Sequence, residues 1–257
     1  MILDSHHHLW DPGLADYPWM TDEFARLRRR FGPEHLEPLL QEHGVDGTIV
    51  VQARASLDET TELIETARAT PFIRGVVGWL DLTGDVDAQL ASLDGPLVGV
   101  RHQVQDEADP KWLLREDVQR GIAAAGAAGL VYDLLVRARE LPAAIETARR
   151  QPEVRFVLDH VAKRPIDDGA WRTGVAELAA LPNVACKLSG VFTEHDPRGT
   201  VALALDLFGP ERCMFGSDWP VCTLACSYGD ALAVVGRDAD VLARTAIRTY
   251  CLDVAAS

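Results

Sequence analysis

The sequence has no long hydrophobic run and comparatively few basic residues. It contains no stretch of about 18 uncharged apolar residues, so we expect no membrane span. Its amino terminus, from Met1 to His6, has no basic segment followed by an apolar one, so we expect no secretory signal peptide. Lys and Arg number 25 against 39 Asp and Glu, and phosphate backbones repel the resulting net charge of −14. We therefore expect a cytoplasmic protein that binds neither membranes nor nucleic acid.

Cysteine is also scarce, with five residues in 257. An odd number clustered late in the chain does not resemble the disulfide framework of a secreted protein. Cys186 and Cys213 lie in apolar, strand-like runs, where a thiol usually acts as a small hydrophobic group. Cys222 and Cys226 are four residues apart with no matching Cys/His pair nearby, which is a poor zinc signal. Reduced thiols are typical of a cytoplasmic enzyme.

What the sequence does contain is eight short apolar runs separated by helical patterns. Most of these runs are continuous rather than alternating, which is typical of strands buried on both faces of a parallel sheet. The predicted strands cover residues 2–5, 47–52, 73–80, 97–101, 130–135, 154–158, 184–188 and 213–216. The predicted helices cover residues 34–42, 58–69, 86–93, 115–128, 142–150, 168–181, 200–207 and a last segment from Asp230 onward.

This order predicts an α/β fold, a (β/α)8 TIM barrel, as a single domain over residues 1–257. The main alternative is an open doubly wound sheet. That fold usually has a Gly-rich phosphate turn after its first strand, whereas three histidines follow the first strand here. No linker or low-complexity segment divides the chain.

The first strand carries the clearest chemical signal. Side chains alternate along a strand, so His6 and His8 should point the same way, and His7 the opposite way. The pair falls at the carboxyl end of the strand, where TIM-barrel enzymes keep their active sites. The alternative is that the three histidines belong to a purification tag, but a tag normally lies outside the fold.

Two more groups end other strands. His160 follows strand 6 and Asp218 follows strand 8, which neighbours strand 1 in a closed barrel. Taken alone, His160 could be a core histidine and Asp218 a helix cap. Together with His6 and His8 they make three imidazoles and one carboxylate that converge from different strands. This combination is far more specific than any one member.

Further polar and aromatic side chains lie at or near strand ends. Arg101 could hold a carboxylate or a lactone oxygen. Lys187 is equally well explained as a structural lysine of the barrel. Trp10 and Trp219 could form an apolar wall for a sugar ring. The candidates for substrate contact are Arg101, His102, Gln52, Tyr132, Trp10, Trp79, Lys187 and Trp219.

These motifs resemble the amidohydrolase superfamily, in its branch of metal-dependent TIM-barrel hydrolases that includes sugar lactonases. Residues 4–10 are similar to the Asp-Ala-His-x-His-x-Trp opening of that branch. The similarity continues in chain order over almost the whole sequence. It is carried by residues 51–53, 78–81, 99–102, 132–133, 158–163, 186–190 and 215–220. Within the branch, the sequence resembles L-fucono-1,5-lactonase and L-rhamnono-γ-lactonase-like enzymes.

The resemblance implies that His6 and His8 are the strand-1 pair, His160 the strand-6 histidine, and Asp218 the strand-8 aspartate that handles the water. These four are the candidate catalytic residues and also the candidate ligands of one divalent metal ion, with zinc as the first choice. Polarisation of the substrate by imidazoles without a metal stays open as an alternative.

Three departures from the branch matter. Arg101-His102 stands where a metal-bridging lysine or glutamate is frequent, and Tyr132-Asp133 stands where a histidine ligand would be. Both weaken the case for a two-metal site. The segment 193–200 is short, which predicts a trimmed loop at the mouth and leaves the substrate preference open.

The predicted function is the opening of a small sugar lactone by water, with Asp218 accepting a proton. The expected partner is a small-molecule lactone, and a homo-oligomer is compatible with the sequence. One alternative is a metal-dependent decarboxylase of an aromatic acid. Another is a lactonase for a dicarboxylate lactone such as a pyrone. Binding of such a substrate would require several arginines at the mouth of the barrel. A barrel that binds without catalysis is the third.

Overall fold

The computed structural model of the chain describes residues 1–193 and 195–253. Eight strands form one sheet in which the spatial order follows the chain order, and every neighbouring pair is parallel. The strands are β1 (Leu3–His7), β2 (Gly47–Val51), β3 (Ile73–Gly78), β4 (Leu97–His102), β5 (Val131–Leu134), β6 (Phe156–Leu158), β7 (Val184–Lys187) and β8 (Cys213–Met214). All eight predicted strands are confirmed, with boundaries that differ by a few residues.

The sheet curls until its two edges meet. The backbone N–H of Ser5 donates to the carbonyl oxygen of Phe215 at 2.9 Å, and the N–H of Asp218 donates to that of His6 at 2.8 Å. The N–H of His8 donates to the carbonyl oxygen of Trp219 at 2.7 Å. This seam joins β1 to the chain that follows β8, so the predicted TIM barrel is confirmed.

Nine α-helices accompany the strands in the described part of the chain. They are α1 (Pro33–His43), α2 (Leu57–Ala69), α3 (Val86–Ala91), α4 (Glu116–Ala127), α5 (Leu141–Arg150), α6 (Gly169–Ala179), α7 (Pro197–Phe208), α8 (Tyr228–Val234) and α9 (Thr245–Tyr250). The last predicted helix is two helices, α8 and α9, with a π-helical turn (Asp240–Arg244) before α9. Within these residues no helix is both long and apolar enough to cross a bilayer.

Local chemistry explains the helix ends. α1 begins at Pro33, whose fixed φ suits the first turn, and it ends at Gly44, whose φ of +65° favours glycine. α2 begins after Ser56, whose hydroxyl accepts from the N–H of Glu59. These are the Pro, Gly and Ser signals that the sequence carries at these positions.

Apolar side chains pack in two layers. One layer fills the barrel interior, and it includes Val51, Val77 and Val131 from the strands and Tyr250 from α9. The other lies between the strands and the surrounding helices, and it includes Val50 and Tyr132. Because each strand contributes to both layers, its sequence is apolar at successive positions.

Candidate active site

Four side chains predicted from the sequence meet at the carboxyl end of the barrel. The Nε2 atoms of His6 and His8 are 3.1 Å apart, and Asp218 Oδ1 lies 3.7 Å from the first and 3.4 Å from the second. The ring of His160 packs edge-on to the ring of His6, with centroids 4.6 Å apart. The structure therefore brings together all four of the predicted catalytic and metal-ligating residues.

A bulge in β1 aims the two histidines. The register of β1 against β2 shifts between Asp4 and His7, which turns His6 and His8 toward the barrel mouth. His8 Nδ1 lies 2.8 Å from the carbonyl oxygen of Val51, so Nδ1 carries the proton and Nε2 keeps its lone pair. His7 points away and contacts the hydroxyl of Thr48 through Nε2 at 2.9 Å, as the alternation predicts.

The other two side chains sit on unusual backbone. His160 has a φ of +54° and Asp218 a φ of +56°, in the left-handed region that non-glycine residues rarely adopt. Such residues cluster at functional sites, where surrounding contacts hold them in place. One of these contacts is the Ser189 hydroxyl, 2.9 Å from His160 Nδ1. The neighbouring Gly190 has no room for a side chain, because a Cβ atom there would lie 2.6 Å from His160 Nδ1.

A buried charge network lies beneath this cluster, centred on Asp159. Asp159 Oδ2 accepts from Arg101 Nη1 at 2.9 Å, and Oδ1 lies 3.2 Å from Lys187 Nζ and 3.4 Å from His6 Nδ1. Lys187 also pairs with Asp133, which accepts from the Tyr250 hydroxyl at 2.7 Å. Asp159 therefore lies beneath His6, on the side where metal-binding histidines commonly meet an outer partner, although neither His6 Nδ1 nor Asp159 Oδ1 has a hydrogen-bond partner among the described residues.

Burial and these contacts set the protonation states. Burial lowers the pKa of His6 well below its ordinary value and lowers that of His160 to about 4. Burial would raise the pKa of Asp218, but the imidazoles of His160, His8 and His6 outweigh it and hold that pKa below the ordinary value. In the same way, Lys187, His6 and Arg101 outweigh burial and keep the pKa of Asp159 low. At neutral pH the imidazoles of His6 and His160 are therefore neutral and the carboxylates of Asp218 and Asp159 are ionised, which are the forms that bind a divalent metal.

Two groups of side chains in this site could hold a divalent metal ion. The geometry of the first group fits one ion. His6, His8 and Asp218 each offer an atom, and the three atoms lie 3.1–3.7 Å apart. Two ligands of a tetrahedral zinc ion, with bonds of about 2.0–2.1 Å, lie about 3.3 Å apart. The lone pair of His8 Nε2 is already exposed by the bond that its Nδ1 makes to Val51.

The second group consists of His6, Asp159 and His160. Its carboxylate is already neutralised by Arg101 and Lys187, which are both buried. Two side-chain cations beside this carboxylate repel a further cation. The geometry therefore fits one divalent ion in the first group rather than a two-metal site.

A cavity of about 510 Å³ opens above the cluster. Its floor includes His8, His160, Asp218 and Arg101. One wall is apolar and comes from the long loop between β1 and α1, and another is polar and follows β4. The remaining lining residues are Pro18, Trp19, Thr21, Phe24, Ala53, Gln103, Gln105, Asp106, Leu135, Arg137, Lys163 and Val221.

Of the predicted substrate contacts, Arg101 alone lines this cavity. Gln52 is buried and accepts from Arg101 Nη2 through Oε1 at 3.0 Å, so it holds the guanidinium in place. Lys187 is fully buried between Asp133 and Asp159, in the structural role that the sequence left open. The positions of Gln52 and Lys187 do not fit direct contact with a substrate.

The position of Tyr132 does not fit either, because its side chain lies in the layer between strands and helices, against Phe156. His102 lies on the same outer side of β4, stacked on Trp112 with ring centroids 4.1 Å apart. Trp79 donates to His102 Nδ1 at 2.9 Å and is likewise absent from the cavity lining.

Trp10 and Trp219 are buried below the loops that form the mouth. Trp10 stacks near His8, with centroids 6.2 Å apart, and donates to the carbonyl oxygens of Leu27 and Arg29. Trp219 packs edge-on to Phe31, with centroids 5.4 Å apart. Trp19, which was not among the predicted substrate contacts, is the tryptophan that lines the cavity.

Sequence reasoning also missed Asp159 and the polar residues after β4. Asp159 stands next to His160 in the motif of residues 158–163, but only His160 was predicted to be a site residue. Gln103 and Gln105 follow Arg101 at every second position, which was an available signal for side chains on the same side. The predicted short segment at 193–200 contains residue 194, which lies outside the described residues.

Known proteins resemble this chain in sequence and in fold. The family model described as Amidohydrolase matches residues 3–253. A protein of Burkholderia multivorans named L-fucono-1,5-lactonase is 43% identical over 93% of this chain and 88% of its own length. The protein of the same name from Burkholderia ambifaria is 42% identical over 89% of this chain and 83% of its own length. A crystal structure of a B. multivorans amidohydrolase with bound zinc superposes with a TM-score of 0.92 at 39% identity, covering 98% of this chain and 99% of that one.

Proposed function

We propose that this chain, which belongs to the amidohydrolase family, hydrolyses a small sugar lactone, with L-fucono-1,5-lactone as the first substrate to test. The observation that carries the proposal is the convergence of His6, His8 and Asp218 at the base of a cavity of about 510 Å³, which His8 and Asp218 line and beneath which His6 is buried. That volume suits one small organic molecule. Two relatives above 40% identity carry the name of this activity.

His6, His8 and Asp218 would hold the divalent ion, which supplies Lewis acidity and lowers the pKa of bound water toward about 7. We propose zinc, because imidazole nitrogens with a carboxylate are its usual ligands in catalytic sites that keep one position open. His160, beside His6, is the further imidazole that faces the substrate carbonyl.

Asp218 is the proposed proton acceptor. Its Oδ1 faces His6 and His8, and its Oδ2 faces Gly190. The carboxylate takes a proton from the attacking water while the water oxygen bonds to the lactone carbonyl carbon. The bond from that carbon to the ring oxygen then breaks, and Asp218 returns the proton to the ring oxygen. The product is one hydroxy acid, and the carboxylate is regenerated.

Arg101 supports the charge that develops in this step. Its guanidinium lies 3.4 Å from His6 Nε2 and is held by Asp159 and Gln52. Because the side chain is fixed before the substrate arrives, it can stabilise negative charge on the carbonyl oxygen without reorganising. The apolar wall from Pro18, Trp19 and Phe24 can cover the sugar ring.

The test is a pH-indicator assay on the purified chain with 1,4- and 1,5-aldonolactones, corrected for spontaneous hydrolysis. L-Fucono-, L-rhamnono- and D-arabinono-lactones form the panel, and an aromatic carboxylate assayed for CO₂ serves as the control. We expect acid release from at least one sugar lactone and no release of CO₂ from the aromatic carboxylate. Release of CO₂ without lactone hydrolysis would replace the lactonase with a decarboxylase.

A further inference from the structure

The polar wall of the cavity is one short segment, Gln103–Asp106. Gln103, Gln105 and Asp106 line the cavity, whereas Val104 points into the apolar layer under the helices. The segment is anchored to both neighbouring loops. Gln103 Nε2 donates to the carbonyl oxygen of Ala53 at 3.3 Å, and the backbone N–H of Gln105 donates to that of Leu135 at 3.1 Å.

The residues on either side of this segment bond to each other. His102 Nε2 lies 2.7 Å from Glu107 Oε1, so the contact bridges the four residues between them. Indole nitrogen can only donate, and Trp79 Nε1 donates to His102 Nδ1 at 2.9 Å. His102 Nδ1 must therefore accept, and the proton on Nε2 goes to Glu107. Trp112 lies flat against the same ring, at an interplanar angle of 9°.

Gln105 has hydrogen-bonding capacity that the protein does not use. Its Oε1 is buried and has no partner among the described residues. A buried polar atom without a partner is costly. Because Oε1 is buried, the Gln105 side chain, which lines the cavity, would turn its amide to bring this oxygen to a ligand. Next to it, the carboxylate of Asp106 and the amide of Gln103 also line the cavity. Amides and carboxylates suit hydroxyl groups, which both donate and accept.

We infer that Gln103–Asp106 binds the ring hydroxyls of the lactone and that His102 and Glu107 are the residues that position this segment. This inference rests on the proposed function and adds the basis of its selectivity. The hydroxyl-binding wall is separate from the cluster of His6, His8 and Asp218. Loss of the wall should therefore weaken the binding of hydroxylated lactones without slowing the chemical step.

The test compares two substrates on two variants at Glu107. L-Fucono-1,5-lactone carries ring hydroxyls, and δ-valerolactone has the same ring without them. Glu107→Ala removes the acceptor for His102, and we expect its KM for the sugar lactone to rise about five- to tenfold, the worth of one or two hydrogen bonds. Its kcat should stay within about twofold, and both constants for δ-valerolactone should be unchanged. Glu107→Gln keeps an acceptor oxygen and should return KM close to that of the wild type.

Circular dichroism and thermal melts check the fold of each variant. If Glu107→Ala fails to fold, Gln105→Leu replaces it, with the same expected split between the two lactones. A fall in kcat at unchanged KM, or an equal change for both lactones, overturns the inference. Wild-type protein that hydrolyses both lactones with equal kcat/KM also overturns it but leaves the proposed function intact. Wild-type protein that hydrolyses neither overturns the proposed function itself.

Discussion

Arg101 and Asp159 form an ion pair inside the barrel, with Nη1 2.9 Å from Oδ2 and both side chains almost fully buried. An exposed pair elsewhere, Arg28 and Asp22, has the same separation of 2.9 Å. The two pairs share their chemistry and differ in their surroundings. A comparison of the two pairs therefore shows how much burial, rather than the contact itself, contributes to the stability of the protein.

Asp159→Asn should destabilise the protein by about 3–5 kcal/mol, because Arg101 and Lys187 would remain buried with one carboxylate fewer. Asp22→Asn should change the free energy of unfolding little, because solvent screens the exposed pair. Urea unfolding of the two variants measures the difference. Equal losses would show that the buried network contributes no more than a surface pair.

The chain should bind one divalent ion. Elemental analysis after loading with excess zinc and desalting should give one ion per chain, and two ions would contradict the account. His8→Asn removes a donor of the fitting group and should weaken zinc binding by at least about a hundredfold in a chelator competition. His195→Asn, at an exposed histidine, is the matched control and should leave the affinity unchanged.

Alanine substitutions at two glycines with the same φ should distinguish the cost of backbone strain from the effect of displacing His160. Gly190 and Gly44 both have a φ of +65°, but a Cβ atom at Gly190 would lie 2.6 Å from His160 Nδ1, and one at Gly44 would touch nothing within 4 Å. Both alanine variants should lose roughly 1 kcal/mol of stability from the positive φ. Gly190→Ala should also lose at least about a hundredfold in kcat, because His160 must move. Similar kcat values in the two variants would show that the position of His160 is not critical.

Glu59 should make stability depend on pH. Its carboxylate accepts from the N–H groups of Ala53 and Arg54, and burial raises its pKa from 4.5 to about 7. The folded state therefore keeps a proton that the unfolded state loses between these two values. Stability falls as the pH rises through this window, and the loss is complete above pH 7.

Glu59→Gln keeps an acceptor oxygen and removes this titration. The variant should gain stability relative to the wild type between pH 5 and pH 8, by up to about 3 kcal/mol. Urea unfolding at both pH values measures this change. A difference between variant and wild type that is the same at pH 5 and pH 8 would contradict the assignment.

The fold was predictable because buried parallel strands leave continuous apolar runs, which the sequence shows eight times. The same burial on both faces hides which side chains point inward. At β5 the sequence suggested Tyr132, but Asp133 faces the barrel interior and Tyr132 the helices. At β4 both Arg101 and His102 were candidates. Their side chains point to opposite faces of the strand, and the structure shows that Arg101 is the one that faces the cavity.

The cluster of His6, His8, His160 and Asp218 was predictable because its members stand at strand ends, where a polar group interrupts an apolar run. Its supporting network was not, because the partners of Asp159 come from strands far apart in the sequence. The contact of Arg101 with Asp159 spans 58 residues, and that of Tyr250 with Asp133 spans 117. No local pattern connects such positions.

The role of Asp218 is tested most directly by the turnover of L-fucono-1,5-lactone by Asp218→Asn, measured with a pH indicator at saturating substrate. Asp87→Asn, at an exposed aspartate of α3, is the matched control. The wild type and Asp87→Asn should release acid at the same rate, whereas kcat of Asp218→Asn should be at least about a thousandfold lower. Near-normal turnover by Asp218→Asn would show that this carboxylate does not accept the proton.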